Sequence, residues 1–288
     1  MLTLQIFVNG VVLGCLYACI AVGFSLVWGV LNVINMMHGS FIVLGSYLAW
    51  GAYHALGLDP WFTLLIAAPL FYAAGYLVQR GVLNRVIAAP VLVTLTMTFG
   101  LDLMLNNAMI LAFTADYRKL ILEPPLGTLA LGSLVVPVDR LLAMAFALVL
   151  TGTLYLILRK SRAGRAIIAV RLDHDAAMLM GVRVGSIYAV AFGLGAAMAG
   201  CAGVLLALIF PISPLSEIPY LGKAFVVCVL GGLGSVPGAV LGGLVLGLVE
   251  SFGGLALGPE RAVTLSFGLL ILFLIFRPQG ILGRRGFE

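Results

Sequence analysis

The first lysine or arginine in this chain is Arg80, so the long stretch ahead of it must fold with almost no charge to hold it in water. The bias runs on to the end: 62% of the 288 residues are apolar and 9% are charged, against roughly one-quarter charged in a soluble domain. A helix needs roughly 20 apolar residues to cross about 30 Å of hydrocarbon. The composition therefore predicts an all-α polytopic membrane helix bundle of roughly eight to ten spans, with residues 1–288 forming a single transmembrane domain. The net charge of +5 then reads as topology rather than as a footprint for nucleic acid. No basic n-region precedes the first apolar run, so that run is expected to stay as a span.

Apolar runs with polar or Gly/Pro punctuation fall at about Phe7 to Leu31, Gly39 to Leu56, Trp61 to Gln79, Val91 to Phe113, Val138 to Leu158, Gly185 to Phe210, Pro219 to Leu233, Pro237 to Gly254 and Ala262 to Phe276. Nine is thus the best count, and the seventh run, short and carrying Lys223, reads as a broken or re-entrant segment. Alternating sides sorts the basic residues when the N-terminus is outside and the C-terminus cytoplasmic. Arg80, Arg85, the basic residues of 159–183, Arg277, Arg284 and Arg285 then lie inside, against Arg118, Lys119, Arg140 and Arg261 outside. On this scheme Thr114 to Pro137, with Pro124-Pro125 and mixed charges, forms a structured outer loop.

Residues 159–183, RKSRAGRAIIAVRLDHDAAMLMGVR, make the long polar interruption of the C-terminal two-thirds. Asp173 or Asp175 can cap orphan N–H groups, Ala, Met and Leu favour helix, and Gly181 can take the left-handed conformation that ends one. A basic loop with its own short helix suits either contact with a partner or a solvated linker obeying the inside-positive bias.

Three further patterns stand out within the apolar runs. Gly10 and Gly14 early, and Gly234, Gly238 and Gly242 with Gly243 and Gly247 late, have the spacing that lets helix backbones approach closely. Thr94, Thr98, Asp102 and Asn106 recur at i, i+4 and so share one helix face. An Asp at that depth costs at least about 2.5–3.5 kcal/mol if it meets lipid, so the stripe must face protein or water, as a solute path or as a buried hydrogen-bond network. Asn32, Asn35 and His38 lie between the first two runs, beside the cytoplasmic side, and form the second candidate for the path. Glu250 and Lys223 lie near the outer ends of their segments, where they can pair or reach the interface.

Cys15, Cys19, Cys201 and Cys228 sit in apolar runs and read as small apolar residues, with no Cys/His spacing suited to a metal. Gly222-Lys223 lacks the rest of a phosphate-cradling loop, and no nucleophile, base or carboxylate pair is grouped for catalysis. The chain is not expected to be an enzyme.

Three long stretches carry a resemblance: GFSLVWGVLNVINMMHGSFIVLGSYLAW (Gly23 to Trp50), GRAIIAVRLDHDAAMLMGV (Gly164 to Val182) and GKAFVVCVLGGLGSVPGAVLGGLVLGLVES (Gly222 to Ser251). Together, and in this order, they resemble the LivH-type permease subunit of branched-chain amino acid ABC importers. The resemblance implies a multi-pass protein of the bacterial inner membrane that passes Leu, Ile or Val delivered by an external solute-binding protein. It also implies a second permease of the LivM type and two ATPase subunits of the LivG and LivF types. Those subunits would hold the ATP and Mg, leaving no cofactor in this chain and no nucleic-acid partner. It places a coupling helix of the EAA-x-x-x-G type on Asp175, Ala176, Ala177 and Gly181, with Asp in place of Glu and without the I-x-L-P continuation. Gly164, Arg165, Arg171, Asp173 and Met180 belong to the same docking element. Related permeases serve urea, amides or other amino acids. An ion-coupled secondary transporter, with Asp102 or Glu250 carrying the ion, is the rival from another class.

Overall fold

The computed structural model describes residues 2–87, 89–131, 134–277 and 279–283. Arg284 and Arg285, assigned above to the cytoplasmic side, lie outside the described residues. The chain begins with α1 (Leu2–Leu31), α2 (Met37–Leu56), α3 (Pro60–Gly81) and α4 (Val91–Phe113). A short antiparallel hairpin, β1 (Thr128–Leu131) and β2 (Leu134–Pro137), leads into α5 (Val138–Lys160). Two short helices follow, α6 (Arg162–Leu172) and α7 (His174–Leu179), and then α8 (Val184–Ala207), α9 (Glu217–Gly231), α10 (Val236–Leu257) and α11 (Pro259–Phe276). Each of the nine apolar runs coincides with one long helix. Among the described residues, seven helical segments are long and apolar enough to cross a membrane by length and composition.

Burial divides the long helices into two kinds. The most apolar windows of α1 and α8 are 89% and 83% buried, whereas that of α4 is only 22% buried. A helix that is apolar all round and buried all round belongs at the centre of a bundle. The outward faces of α3, α4 and α5 keep Leu, Phe, Val and Ile exposed, as a lipid-facing wall requires.

Glycine lets the central helices touch. A β-carbon on Gly247 would lie 2.3 Å from the Gly14 nitrogen and 2.4 Å from the Gly10 carbonyl oxygen, and one on Gly243 would lie 2.6 Å from the Ala18 nitrogen. The early and late small-residue motifs are thus two sides of one contact between α1 and α10, with lipid supplying no hydrophobic drive to replace it. Gly238 and Gly242 instead face Gly231 of α9. The four cysteines are buried and free.

The segment joining α1 to α2 departs from the sequence reading. His38, in the first turn of α2, places Nε2 3.0 Å from the Ile20 carbonyl. Ile20 lies about 16 Å along the axis from the end of α1 at ~1.5 Å per residue. His38 is therefore deep in the bundle, not beside its cytoplasmic edge. Residues 32–36 are not helical, and five extended residues reach roughly 16–18 Å, enough to carry the chain back inward before α2 starts. α9 also begins inside the bundle: its first residue, Glu217, is buried. α9 itself has 15 residues, about 22 Å, and reaches the length of a candidate span only together with the turn before it, as Pro214–Gly231.

Candidate functional site

Residues 159–183 form a compact element rather than an open linker. Ser161 ends α5 and caps α6, its Oγ accepting from the Gly164 N–H at 2.8 Å. A β-carbon at Gly164 would sit 2.2 Å from the Ile157 carbonyl oxygen and 2.4 Å from that of Leu158. The chain can reverse this tightly over the end of α5 only with glycine there. Ile167 and Val170 then bury one face of α6.

Asp173, rather than Asp175, is the cap of α7: its Oδ1 accepts from the N–H groups of both Asp175 and Ala176 at 3.0 Å. Ala177 faces inward and is 5% exposed. Gly181 closes the helix with φ +82°, where L side chains are strained, and the Val182 N–H returns to the Ala177 carbonyl at 3.1 Å. Leu179 and Met180 project outward, 87% and 84% exposed, and Leu172 and Met178 are exposed beside them.

Arg171 ties this element to the bundle. Its Nη1 donates to the Gly234 carbonyl in the α9–α10 turn, and the guanidinium lies against Gly29 near the end of α1. Gly234 itself has φ +75°. Arg165 donates to the Lys160 carbonyl at 3.3 Å. α6 was not separated from the rest of the loop in the sequence, although the Ile167/Val170 spacing and Gly164 signal it.

The second group lies along α4. Thr94, Thr98, Asp102, Asn106 and Met109 are its buried residues, so the i, i+4 stripe is the face that α4 turns to the protein. Thr98 donates to the Ile34 carbonyl at 3.0 Å and Asn106 to the Pro214 carbonyl at 3.1 Å; Thr94 returns to its own helix at Val91. Ile34 lies in the non-helical segment that precedes α2 and Pro214 in a single 3-10 turn that precedes α9, and the backbone acceptors there need partners within the bundle.

Asp102 stands at the midpoint of α4, about 16 Å from either end. Its Oδ1 is 2.6 Å from Ser40 Oγ, which is also 2.7 Å from Glu217 Oε2. The hydroxyl has one proton and can donate to one carboxylate. It therefore serves the two carboxylates in turn or shares its proton between them. Ser40 and Glu217 were missed from the sequence: Ser40 is one hydroxyl among many, and Glu217 looks like a helix start.

The Asn32/Asn35/His38 group divides. Asn32 is exposed with φ +53°. Asn35 and His38 are fully buried, and Asn35 Nδ2 and Oδ1 and His38 Nδ1 have no hydrogen-bond partner among the described residues. Glu250 and Lys223 do pair, at 3.0 Å. Lys223 also donates to the Tyr17 hydroxyl at 2.7 Å, Tyr17 donates to Glu250, and Ser266 donates to Glu250 at 3.1 Å. One buried ion pair thereby joins α1, α9, α10 and α11. Among the described residues no group of His, Cys, Asp and Glu is placed to hold a metal ion.

A family model described as "Branched-chain amino acid transport system / permease component" matches residues 6–275. The high-affinity branched-chain amino acid transport system permease protein BraD of Pseudomonas aeruginosa is 36% identical over 98% of this chain and 96% of its own length. Its counterpart LivH of Escherichia coli is 35% identical over the same shares. LivM of Escherichia coli is 29% identical over 93% of this chain and 68% of its own length. No solved structure matches.

Proposed function

The chain belongs to the permease-component family of branched-chain amino acid transport systems, and on that premise we propose how its two polar elements divide the work of an ABC importer. The chain is a multi-pass inner-membrane permease subunit and not an enzyme; ATP is hydrolysed in separate subunits. It works with a second permease, and we take that partner to be of the LivM type. ATPase subunits of the LivG and LivF types hold the nucleotide and Mg, and an external binding protein delivers Leu, Ile or Val. The N-terminus is outside, the C-terminus cytoplasmic, and the helices make nine crossings, α9 making its own together with the turn at 214–216.

The observation that carries the coupling role is the tip of α7. Two large apolar side chains there are almost fully exposed on a helix fixed by an Asp cap and a left-handed Gly. Holding them in water costs about 1.5–3 kcal/mol each relative to burial, and a cleft on the ATPase removes that cost. Closure of the ATPases moves α7, and Arg171 passes the movement to the α9–α10 turn and the end of α1. α9 then shifts Glu217 against Ser40 and Asp102, changing the seat of α4 so that the path opens alternately to either side.

Reconstitution tests this directly. The full set of subunits with the binding protein is expected to accumulate Leu, Ile or Val in proteoliposomes only when ATP is supplied. Accumulation by this chain alone, driven by an ion gradient, would overturn the importer reading.

A further inference from the structure

α9 is held at three places along its length, each in a different way. Its first residue, Glu217, is buried with Oε2 2.7 Å from the Ser40 hydroxyl. Past its last residue, the turn to α10 offers the Gly234 carbonyl to Arg171. Between them stands Lys223, whose Nζ is 3.0 Å from Glu250 of α10 and 2.7 Å from the Tyr17 hydroxyl of α1. The coupling route uses the two ends and passes over the middle.

The middle contact is the stiffest of the three. Lys223 and Glu250 are largely shielded, with side chains 16% and 8% exposed, and Tyr17 and Ser266 both donate to Glu250. α1, α10 and α11 thus hold one point of α9 through charge-assisted bonds, and removing one partner of a buried ion pair is strongly unfavourable. The ends are built differently. A β-carbon on Gly39 of α2 would lie 2.6 Å from the Glu217 carbonyl oxygen, one on Gly231 2.3 Å from the Gly238 carbonyl oxygen, and one on Gly242 2.5 Å from that of Val227. Backbones touch there without interlocked side chains, so a small rotation of α9 moves smooth surfaces past each other. The N–H groups of Ile281 and Leu282 donate to the Leu230 and Gly231 carbonyls at 2.8 and 3.1 Å, so the tail travels with that end. From Lys223 the arms run about 9 Å to Glu217 and about 12 Å to Gly231.

We propose that the Lys223–Glu250 pair, with Tyr17, is the fulcrum about which α9 rocks, so that Arg171 pulling on the 232–235 turn moves Glu217 in the opposite sense. The inference rests on the importer reading above and adds the part that turns ATPase motion into motion at Asp102. Without the pin the turn still moves, but α9 trails after it and Glu217 is not driven. ATP hydrolysis then continues while transport fails. A purely structural pair behaves otherwise, its loss lowering assembly and both activities together.

The test compares the wild-type complex in proteoliposomes, with its permease and ATPase partners and leucine-loaded binding protein, with the paired variant Lys223→Met, Glu250→Gln, which strands no charge in the bundle. Leucine taken up per ATP hydrolysed is measured beside the melting temperature of the purified complex. The paired variant is expected to assemble and to hydrolyse ATP in response to the binding protein, with leucine per ATP lower by about tenfold, the equilibrium equivalent of a lost charge-assisted hydrogen bond. Lys223→Arg, which keeps the charge, should retain most of the wild-type ratio. Should the paired variant fail to assemble, Tyr17→Phe, which keeps the ring and the ion pair, decides on the same measurement and is expected to lower the ratio by less. An unchanged ratio, or uptake and ATP hydrolysis falling together with the melting temperature, would overturn the fulcrum. If wild type shows ATP-driven uptake, that outcome removes the fulcrum alone; if wild type shows none, the importer reading fails with it.

Discussion

At the tip of α7 the exposed side chains are apolar, Leu179 and Met180, while along α4 the buried side chains are polar, Thr98 and Asp102. Each region reverses the usual placement, and the remedies differ. On α4 the reversal is settled within the chain: every stripe residue finds a protein partner, at Val91, Ile34, Ser40 or Pro214. At α7 none of the described residues covers the tip. A polar group satisfied internally reads as a latch between helices, and an apolar group left outside reads as half of an interface.

The largest effects are expected where the α7 scaffold itself is broken. Ala177→Glu puts a charge where the side chain is buried, and Gly181→Pro demands φ near −65° where the backbone holds +82°. Both variants should insert normally yet lose nearly all binding-protein-stimulated ATPase activity and uptake. Normal stimulation in both would erase the contrast by making α7 an ordinary loop. Gly164→Ala follows, since its new methyl meets backbone oxygens that cannot yield; displacement of α6 should be visible as faster proteolysis at residues 159–183, with intact spans.

On the α4 side, Asp102→Ala leaves Ser40 with one partner fewer, Glu217 alone. Uptake is expected to fall about tenfold, the scale of losing one hydrogen bond to a charged group, without loss of complex assembly. Asp102→Asn keeps an acceptor for Ser40 and should fall by less. If Asp102→Ala transports as wild type does, the stripe is structural packing only. Glu250→Ala sharpens the distinction from another direction. Stranding Lys223 in the bundle should cost about 3–5 kcal/mol of stability, read as a lower melting temperature of the purified complex. The smallest effect belongs to His174→Ala. Its contact with Asp175 is exposed on both sides, and such pairs contribute ~0–1 kcal/mol, so uptake should be unchanged.

Much of this architecture is written in local pattern. Apolar runs locate the nine long helices because span length is set by the bilayer and not by distant contacts. The i, i+4 spacing of Thr94 to Asn106 puts the stripe on one face whatever it meets. Pairing is what local pattern does not carry. Ser40 meets Glu217 across 177 positions in the chain, and nothing near either residue encodes the other. The depth of His38 was misjudged for the same reason: the residues after Leu31 look like a surface turn, yet they re-enter the bundle, where His38 meets the Ile20 carbonyl from a helix 18 positions earlier. Conversely, Asp173 was legible as a cap because capping is a contact over two or three residues.

The coupling role of α7 is open to one direct measurement. The native cysteines of this chain are buried, so a Leu179→Cys variant carries a single exposed thiol on the tip of the helix. In the assembled complex that thiol should be shielded from a maleimide reagent and should crosslink to an ATPase subunit, with labelling restored when the ATPases are removed. Labelling at the same rate with and without the ATPase subunits, and no crosslink to them, would contradict the assignment of α7 as the coupling element.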